Sequence, residues 1–510
     1  MGKLIKMQYL VGIDISTTAV KAILIDARGS VIGSVSTPLS VSIPRSGWSE
    51  QDPADWWNAT VTSIRALLDR SSVPSEKIAA LGLTGQMHGA VFLDAHGKII
   101  RPAILWNDAR TPYQCAEIVD LIGEDRLREI TGNPALVGFQ APKILWLREQ
   151  EPENFAKVQH ILLPKDYIRY RLSGEFATDT SDAAGTLLLG LVQRDWSDEI
   201  LSKLSIPREW LPDVHEGPDV TGYVTVEASQ LTGLPAGTTL VASAGDNAAA
   251  AIGSGVVQEG TGLLSLGTSG VIFVPTNTPR IDPTGALHAF CHAISGAYHL
   301  MGVILSAGGS LHWARDVLFG DGLNRSELDD YDTFIEPATH IIPGADGLFF
   351  LPYLAGERTP HMDPTARGAW IGLSLAHRQE HLVRAVLEGV AFALRDVWER
   401  MTALGVAPSA LRIVGGGAKS AAWREIIAAV LDVPLQRLAM DEGAAFGAAI
   451  LAGVGAGTYQ DVKEAVAQTV RLSGDQEEPV QELVEEYEIL YCKYVSLYPA
   501  LKSSGVWKGA

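Results

Sequence analysis

Four clusters rich in glycine and hydroxyl side chains constrain this chain most, because each is placed to follow a strand. They read Gly12-Ile13-Asp14-Ile15-Ser16-Thr17-Thr18, Ala244-Gly245-Asp246-Asn247, Ser265-Leu266-Gly267-Thr268-Ser269-Gly270 and Val414-Gly415-Gly416-Gly417-Ala418-Lys419-Ser420. Small residues free backbone N–H groups, and with hydroxyls among them these form concave donor arrays suited to phosphate oxygens. Two clusters also carry an aspartate, which can serve a metal or a proton but would repel a bare phosphate. The combination predicts a nucleotide–metal site with a base beside it. That chemistry is phosphoryl transfer.

A length of 510 residues exceeds what one core organises and predicts two large domains or a duplicated pair. The 47% hydrophobic and 19% charged content is that of a folded protein. A formal charge of −19 argues against nucleic-acid and membrane partners, both of which need clustered cations. Cys115, Cys291 and Cys492 are odd in number and widely spaced, which fits a reducing cytoplasm better than a disulfide framework or structural zinc. Lys3 and Lys6 precede an apolar run interrupted by Asp14, so the start reads as a first strand, not a signal peptide.

Residues 9–14, 20–26 and 31–37 predict a three-stranded antiparallel meander with turns at 16–18 and 26–30. A helix over 53–70 follows, opened by Asp52-Pro53, with Trp56, Trp57, Val61, Ile64 and Leu68 on its apolar side. A buried strand over 78–83 runs into Thr84-Gly85-Gln86-Met87-His88-Gly89. The pattern then recurs: a strand pair over 260–266 and 270–275, a third strand from Tyr298, a long amphipathic helix over 379–404, a strand over 411–414, and helices over 421–431 and 443–453. The expected fold class is α/β: two facing lobes, 1–253 and 254–510, with a cleft between. The acidic stretch near 476–488 is expected to lead into a terminal helix packed on the surface.

On several of these stretches the chain resembles the FGGY carbohydrate kinases, and within them the branch that phosphorylates D-xylulose. The similarity runs from about Tyr9 to about Gly453. It includes Trp48-Ser49-Glu50-Gln51-Asp52-Pro53, Gly85 to Gly89, Pro102 to Asp108, Leu163-Pro164-Lys165-Asp166-Tyr167, Ser181 to Thr186, Gly245 to Ala249 and Gly356-Glu357-Arg358-Thr359-Pro360-His361. The resemblance implies two actin-like ATPase (ribonuclease H-like) lobes, with MgATP and a sugar in the catalytic cleft and D-xylulose 5-phosphate as product. Two positions depart from the pattern. Ser16 stands where the first hairpin normally has glycine, and Gln140 where proline, serine or threonine is usual.

Asp246 is the expected general base, a role the resemblance implies; read from the sequence alone it could equally be an N-cap aspartate. Asp14, at the end of the first strand, is the second expected catalytic residue and the Mg²⁺ ligand, with an Asx-type turn as its alternative. For the sugar the candidates are Met87, His88, Trp106, Asp108, Asp246 and Asn247, with His88 resting on the resemblance. For ATP they are Thr17, Thr18, Gly267, Thr268, Ser269, Gly415, Gly416, Gly417 and Lys419. The triple glycine is not a Walker loop, since Ala418 stands where that motif requires glycine. His377-Arg378-Gln379-Glu380-His381 matches a zinc-peptidase pattern but reads as the opening of a helix. Expected partners are a small sugar and ATP, with a homodimer allowed for. Other readings are a kinase for D-ribulose, a deoxy-xylulose or another polyol, and a nucleotide-dependent binding protein.

Overall fold

A computed structural model describes residues 8–319 and 331–507. The two expected meanders form, and each grows into a sheet. The first has six strands in the order Val220–Tyr223, Thr239–Val241, Ile78–Gly85, Tyr9–Ile15, Ala19–Asp26 and Val31–Pro38. The second has seven: Leu472–Glu477, Leu435–Leu438, Ala410–Val414, Thr261–Leu266, Gly270–Thr276, Tyr298–Ile304 and His288–Cys291. Without the edge strand His288–Cys291 the two orders coincide. Each is a meander, two parallel strands beside it, and an antiparallel edge. The antiparallel edge precedes its neighbour in the first half and follows it in the second.

Alternation along the first strand sets what each face does. Tyr9, Val11, Ile13 and Ile15 join a core with Trp56, Ile64 and Leu67 of helix Pro53–Ser71. Leu10 belongs to a separate core on the opposite face, built with helices Asp246–Gly253 and Gly443–Gly455. The latter helix comes from the second half of the chain and lies on the first sheet. Its backbone presses so close that a Cβ at Gly12 would sit 1.9 Å from the Ala445 carbonyl oxygen, and one at Gly82 2.0 Å from that of Ala448. The two helices also touch through small residues, Gly447 lying against the Ala249 carbonyl. Ala251 of helix Asp246–Gly253 meanwhile joins Leu263, Phe273 and Val414 of the second sheet. Helix Asp246–Gly253 is thus shared by both sheets.

Leu10, Gly12 and Asp14 point to the same face. Asp14 therefore emerges just beyond the end of helix Gly443–Gly455, where its register partner Lys21 pairs with Glu442 at 2.7 Å. At the C-terminus the structure corrects the sequence reading. Leu472–Glu477 is an edge strand, and the following helix Gln481–Tyr494 does not merely lie on the surface, since Tyr487 and Tyr494 are inserted into the core. The acidic composition of the stretch hid those two aromatics. Among the described residues no helix is long and apolar enough to cross a membrane.

Candidate active site

Strand Ile78–Gly85 delivers Met87 and His88 at its end. His88 has φ +67°, a left-handed conformation that costs a non-glycine residue about 1 kcal/mol or more and persists only where the surroundings over-determine it. They do. Lys143 Nζ donates to the His88 carbonyl at 2.8 Å, the ring packs 4.7 Å from that of Phe139, and Nδ1 lies 2.5 Å from the Gly185 carbonyl oxygen. A carbonyl only accepts, so Nδ1 carries the proton and Nε2 keeps a lone pair for an incoming hydroxyl. Burial pushes the imidazole pKa down to about 3, which keeps it a neutral acceptor. Met87 is buried beside Gly245, where an added Cβ would lie 3.3 Å from its sulfur.

The loop that carries the acid group is also over-determined. Ser243 has φ +64°, and Gly245 caps helix Asp246–Gly253, so Asp246 is the first helical residue and not its N-cap. Its Oδ1 accepts the Asn247 backbone N–H at 2.7 Å and the Asn247 amide at 2.9 Å. Both bonds land on one oxygen, which leaves the other to take a proton. Burial outweighs these bonds and raises the Asp246 pKa to about 6. Asp14 is raised further, to about 7, by burial and then by the charge of Asp246, with Lys21 opposing. Asp14 Oδ1 is buried with no hydrogen-bond partner. An orphaned carboxylate oxygen beside a second carboxylate is an arrangement a divalent cation would relieve. Among the described residues there is no group of three potential ligands, so such an ion would take most of its coordination from water and phosphate, as Mg²⁺ commonly does.

The second half contributes a cavity of about 870 Å³ lined by Gly267, Thr268, Gly308, Gly309, Gly416, Gly417 and Lys419, with Leu311, Trp313 and Trp423 among its apolar walls. Helix Gly308–Phe319 is part of that wall, and the sequence reading missed it. The hairpin turn holds the helix start: Gly308 N–H donates to the Gly267 carbonyl at 2.8 Å and Gly309 N–H to that of Thr268 at 3.0 Å. The glycine pair after strand Tyr298–Ile304 was the available signal. Gly415 has φ +92°, and an added Cβ would meet the Leu266 carbonyl oxygen at 2.8 Å. Its N–H donates to Asp441 at 3.1 Å, and the next residue, Glu442, is the partner of Lys21. A two-residue bridge therefore joins the triple glycine to the strand pair that bears Asp14.

A comparison with known proteins fits this arrangement. The description "FGGY family of carbohydrate kinases" matches residues 9–253 with its N-terminal domain and 262–456 with its C-terminal domain. The chain belongs to the FGGY family of carbohydrate kinases. It is 42% identical to a xylulose kinase of Escherichia coli (strain K12) over 90% of this chain and 92% of that one. It is 43% identical to one from Klebsiella pneumoniae over 87% and 89% respectively. A crystal structure of a xylulose kinase from Brucella ovis superposes with a TM-score of 0.89 at 39% identity, covering 97% of this chain and all of the other. The fold is accordingly the two-lobed, ribonuclease H-like α/β architecture of FGGY sugar kinases.

The structure brings some of the candidates together and commits others elsewhere. Asp246, Asn247, Met87 and His88 come together, and Asp14 is near enough for Asp246 to raise its pKa. Asp108 does not face the cleft. Its side chain is fully enclosed, accepting the Ser49 N–H at 2.6 Å and pairing with Arg110 at 2.6 Å, so it holds the loop rather than a sugar. Thr17 accepts from Trp106 Nε1 at 3.0 Å and donates to Gln86 Oε1 at 3.1 Å, which turns its hydroxyl away from phosphate duty. Trp106 is 41% exposed and anchored by that bond, and Thr18 sits exposed at the turn. Ser269 and Gly415 lie outside the cavity lining: the Ser269 backbone carbonyl accepts the Gly267 N–H at 3.1 Å, and Gly415 packs behind the turn. Ser16 does not occupy positive φ, and its hydroxyl closes its own turn onto the Ala19 carbonyl at 2.8 Å, so it neither strains the hairpin nor adds a phosphate donor. Gln140 is structural, donating to the Gly89 carbonyl at 2.9 Å. His381 binds Asp346 at 3.1 Å at the start of helix Gln379–Ala403, as a helix opening does.

Proposed function

We propose that the chain transfers the γ-phosphoryl group of ATP to D-xylulose, giving D-xylulose 5-phosphate. The observation that carries this reading is the meeting of a carboxylate whose pKa is lifted to about 6 with a neutral histidine acceptor and a buried methionine, on the sheet beside a glycine-lined cavity. The relatives named xylulose kinase support the ketopentose as acceptor.

Residues 1–253 form the sugar-side lobe and 254–510 the nucleotide-side lobe. His88 Nε2 and the Asn247 amide orient hydroxyls, Met87 covers the apolar edge of the pentose, and Asp246 accepts the proton of the attacking hydroxyl. Gly267, Thr268, Gly416, Gly417 and Lys419 cradle the nucleotide. Mg²⁺ at Asp14 would neutralise phosphate charge as it develops. Transfer of this kind rests on positioning and charge neutralisation, and a positioned base contributes roughly 10²–10⁴-fold. Closure of the lobes around the sugar excludes water as a competing acceptor. Three cysteines, none in a disulfide, fit a reducing cytoplasm.

An ADP-release assay with D-xylulose, D-ribulose, L-ribulose, glycerol and gluconate tests the reading. D-Xylulose should give the highest kcat/KM, and ATP hydrolysis without sugar should be slow. A higher kcat/KM with any other acceptor would overturn the substrate assignment, and vigorous sugar-independent hydrolysis would overturn the closure picture.

A further inference from the structure

We propose that Lys165 is a positioning residue for the sugar site, acting on Asp246 and on His88 through the segment Asp179–Gly185 that it anchors. The proposal rests on the reading of Asp246 as the base. Of Lys165 and that segment, the Gly185 carbonyl alone has a place in the chemistry described above.

Lys165 begins a helix, Pro164–Ser173, yet its side chain is wholly buried. Its ammonium lies 2.6 Å from Asp166, 2.8 Å from Asp179 and 3.5 Å from Asp182, and Arg169 pairs with the same Asp166. All of these side chains are fully enclosed. Two cations and three carboxylates out of water are a costly way to gain stability, since apolar residues of equal volume often do as well. What the cluster provides is fixed geometry.

That geometry leads in two directions. Asp179 Oδ2 accepts the Ser181 N–H at 2.8 Å and the Ser181 hydroxyl at 2.5 Å. With its proton committed there, Ser181 Oγ offers a lone pair to the Gly245 N–H at 3.1 Å, directly before Asp246. The order of donors and acceptors from Lys165 through Asp179 and Ser181 to Gly245 is therefore unambiguous. Four residues beyond Ser181, the Gly185 carbonyl accepts Nδ1–H of His88 and so sets its tautomer. Gly185 is also the floor under both sugar-facing side chains, since an added Cβ would lie 2.8 Å from His88 Cε1 and 2.8 Å from Met87 Cε. Asp182, between the two outputs, has no hydrogen bond to either carboxylate oxygen, and the charge of Asp246 is among the influences that raise its pKa. Lys165 is the cation beside it. One short segment thus fixes the base and the histidine relative to each other, and one ammonium holds the segment. Misplacement by about 1 Å at such a site can cost on the order of 10²-fold in rate.

Three variants test this, each assayed for kcat, for KM of D-xylulose and of ATP, and for its thermal unfolding midpoint. Ser181→Ala removes the hydroxyl that joins Asp179 to the Gly245 N–H and leaves the Ser181 N–H on Asp179; kcat should fall about tenfold with the ATP KM and the midpoint nearly unchanged. Ser181→Thr restores the hydroxyl and should recover most of the loss. Lys165→Met should lower kcat about 100-fold and raise the sugar KM, while calorimetric ATP affinity stays within about twofold. Wild-type kcat in Ser181→Ala, or an equal loss of ATP affinity in either damaging variant, overturns the proposal. If Lys165→Met does not fold, the Ser181 pair decides alone. Near-wild-type turnover in Asp246→Asn would instead remove the base assignment, whatever the Ser181 variants show.

Discussion

The two sheets share a strand order, but their first hairpins have diverged in chemistry. In the first half the strand ends Asp14-Ile15-Ser16-Thr17; in the second the corresponding run is Ser265-Leu266-Gly267-Thr268. The first hairpin carries an acid opposite Lys21, and its Thr17 hydroxyl is committed to Trp106 and Gln86. The second has serine opposite Val271, and its turn carbonyls hold the start of helix Gly308–Phe319, leaving Gly267 and Thr268 on the wall of an open cavity. On the proposed function, one scaffold serves as a side-chain-rich acceptor site in the first half and a backbone-lined cradle in the second. Repetition supplied the fold, and local side chains divided the labour.

The largest expected effect separates the halves outright. Asp246→Asn should lower kcat about 10³-fold while leaving ATP affinity within about twofold; turnover near wild type would dissolve the contrast. Asp14→Asn should cost about 10²-fold and also stabilise the protein without ligands. The folded Asp14 pKa of about 7 lies above the unfolded value, so the folded state binds the extra proton and stability falls as pH rises toward 7. The variant should lose that slope and melt a few degrees higher at pH 8, as a pH series of thermal midpoints would show. Gly415→Ala forces a Cβ into left-handed backbone and toward Leu266, so the ATP KM should rise about tenfold with the sugar KM unmoved. A sugar KM that rose equally would mean the cradle is not confined to the second half.

Two smaller effects sharpen the picture. With Asp246 lifted to about 6, kcat/KM for the sugar should fall below about pH 6 as the base takes up a proton, reaching about a tenth of its plateau near pH 5. A profile flat to pH 5 would sink that assignment. Thr17→Val removes the link between Trp106 and Gln86 and should raise the sugar KM a few-fold without touching that of ATP. The reverse pattern would return Thr17 to the phosphates.

Much of this was legible because it is written in local pattern. The meanders, helix Pro53–Ser71 and the long helix Gln379–Ala403 follow from alternation, capping and helical periodicity. The short strands His288–Cys291, Val220–Tyr223 and Leu435–Leu438 were not, since four residues hold too little alternation to be read. Asp108 shows the limit for sites. An acid in a recognisable stretch looked like a sugar ligand, and only the position of Arg110 shows it to be spent within the protein. Thr17 shows the same limit for hydroxyls, since its direction depends on Gln86 and Trp106, far away in the chain.

The sequence by itself determined that the chain is duplicated, that glycine-rich turns end its strands, and that Asp14 and Asp246 are the acids at those turns, because periodicity and turn chemistry act between near neighbours. Only the tertiary structure decided that the two acids lie close enough to interact, that a helix from the second half lies on the first sheet, and that Lys165 is buried among three carboxylates. Those outcomes depend on burial and on contacts that run from 14 to several hundred positions along the chain, where desolvation sets the pKa of a carboxylate and no local pattern records it.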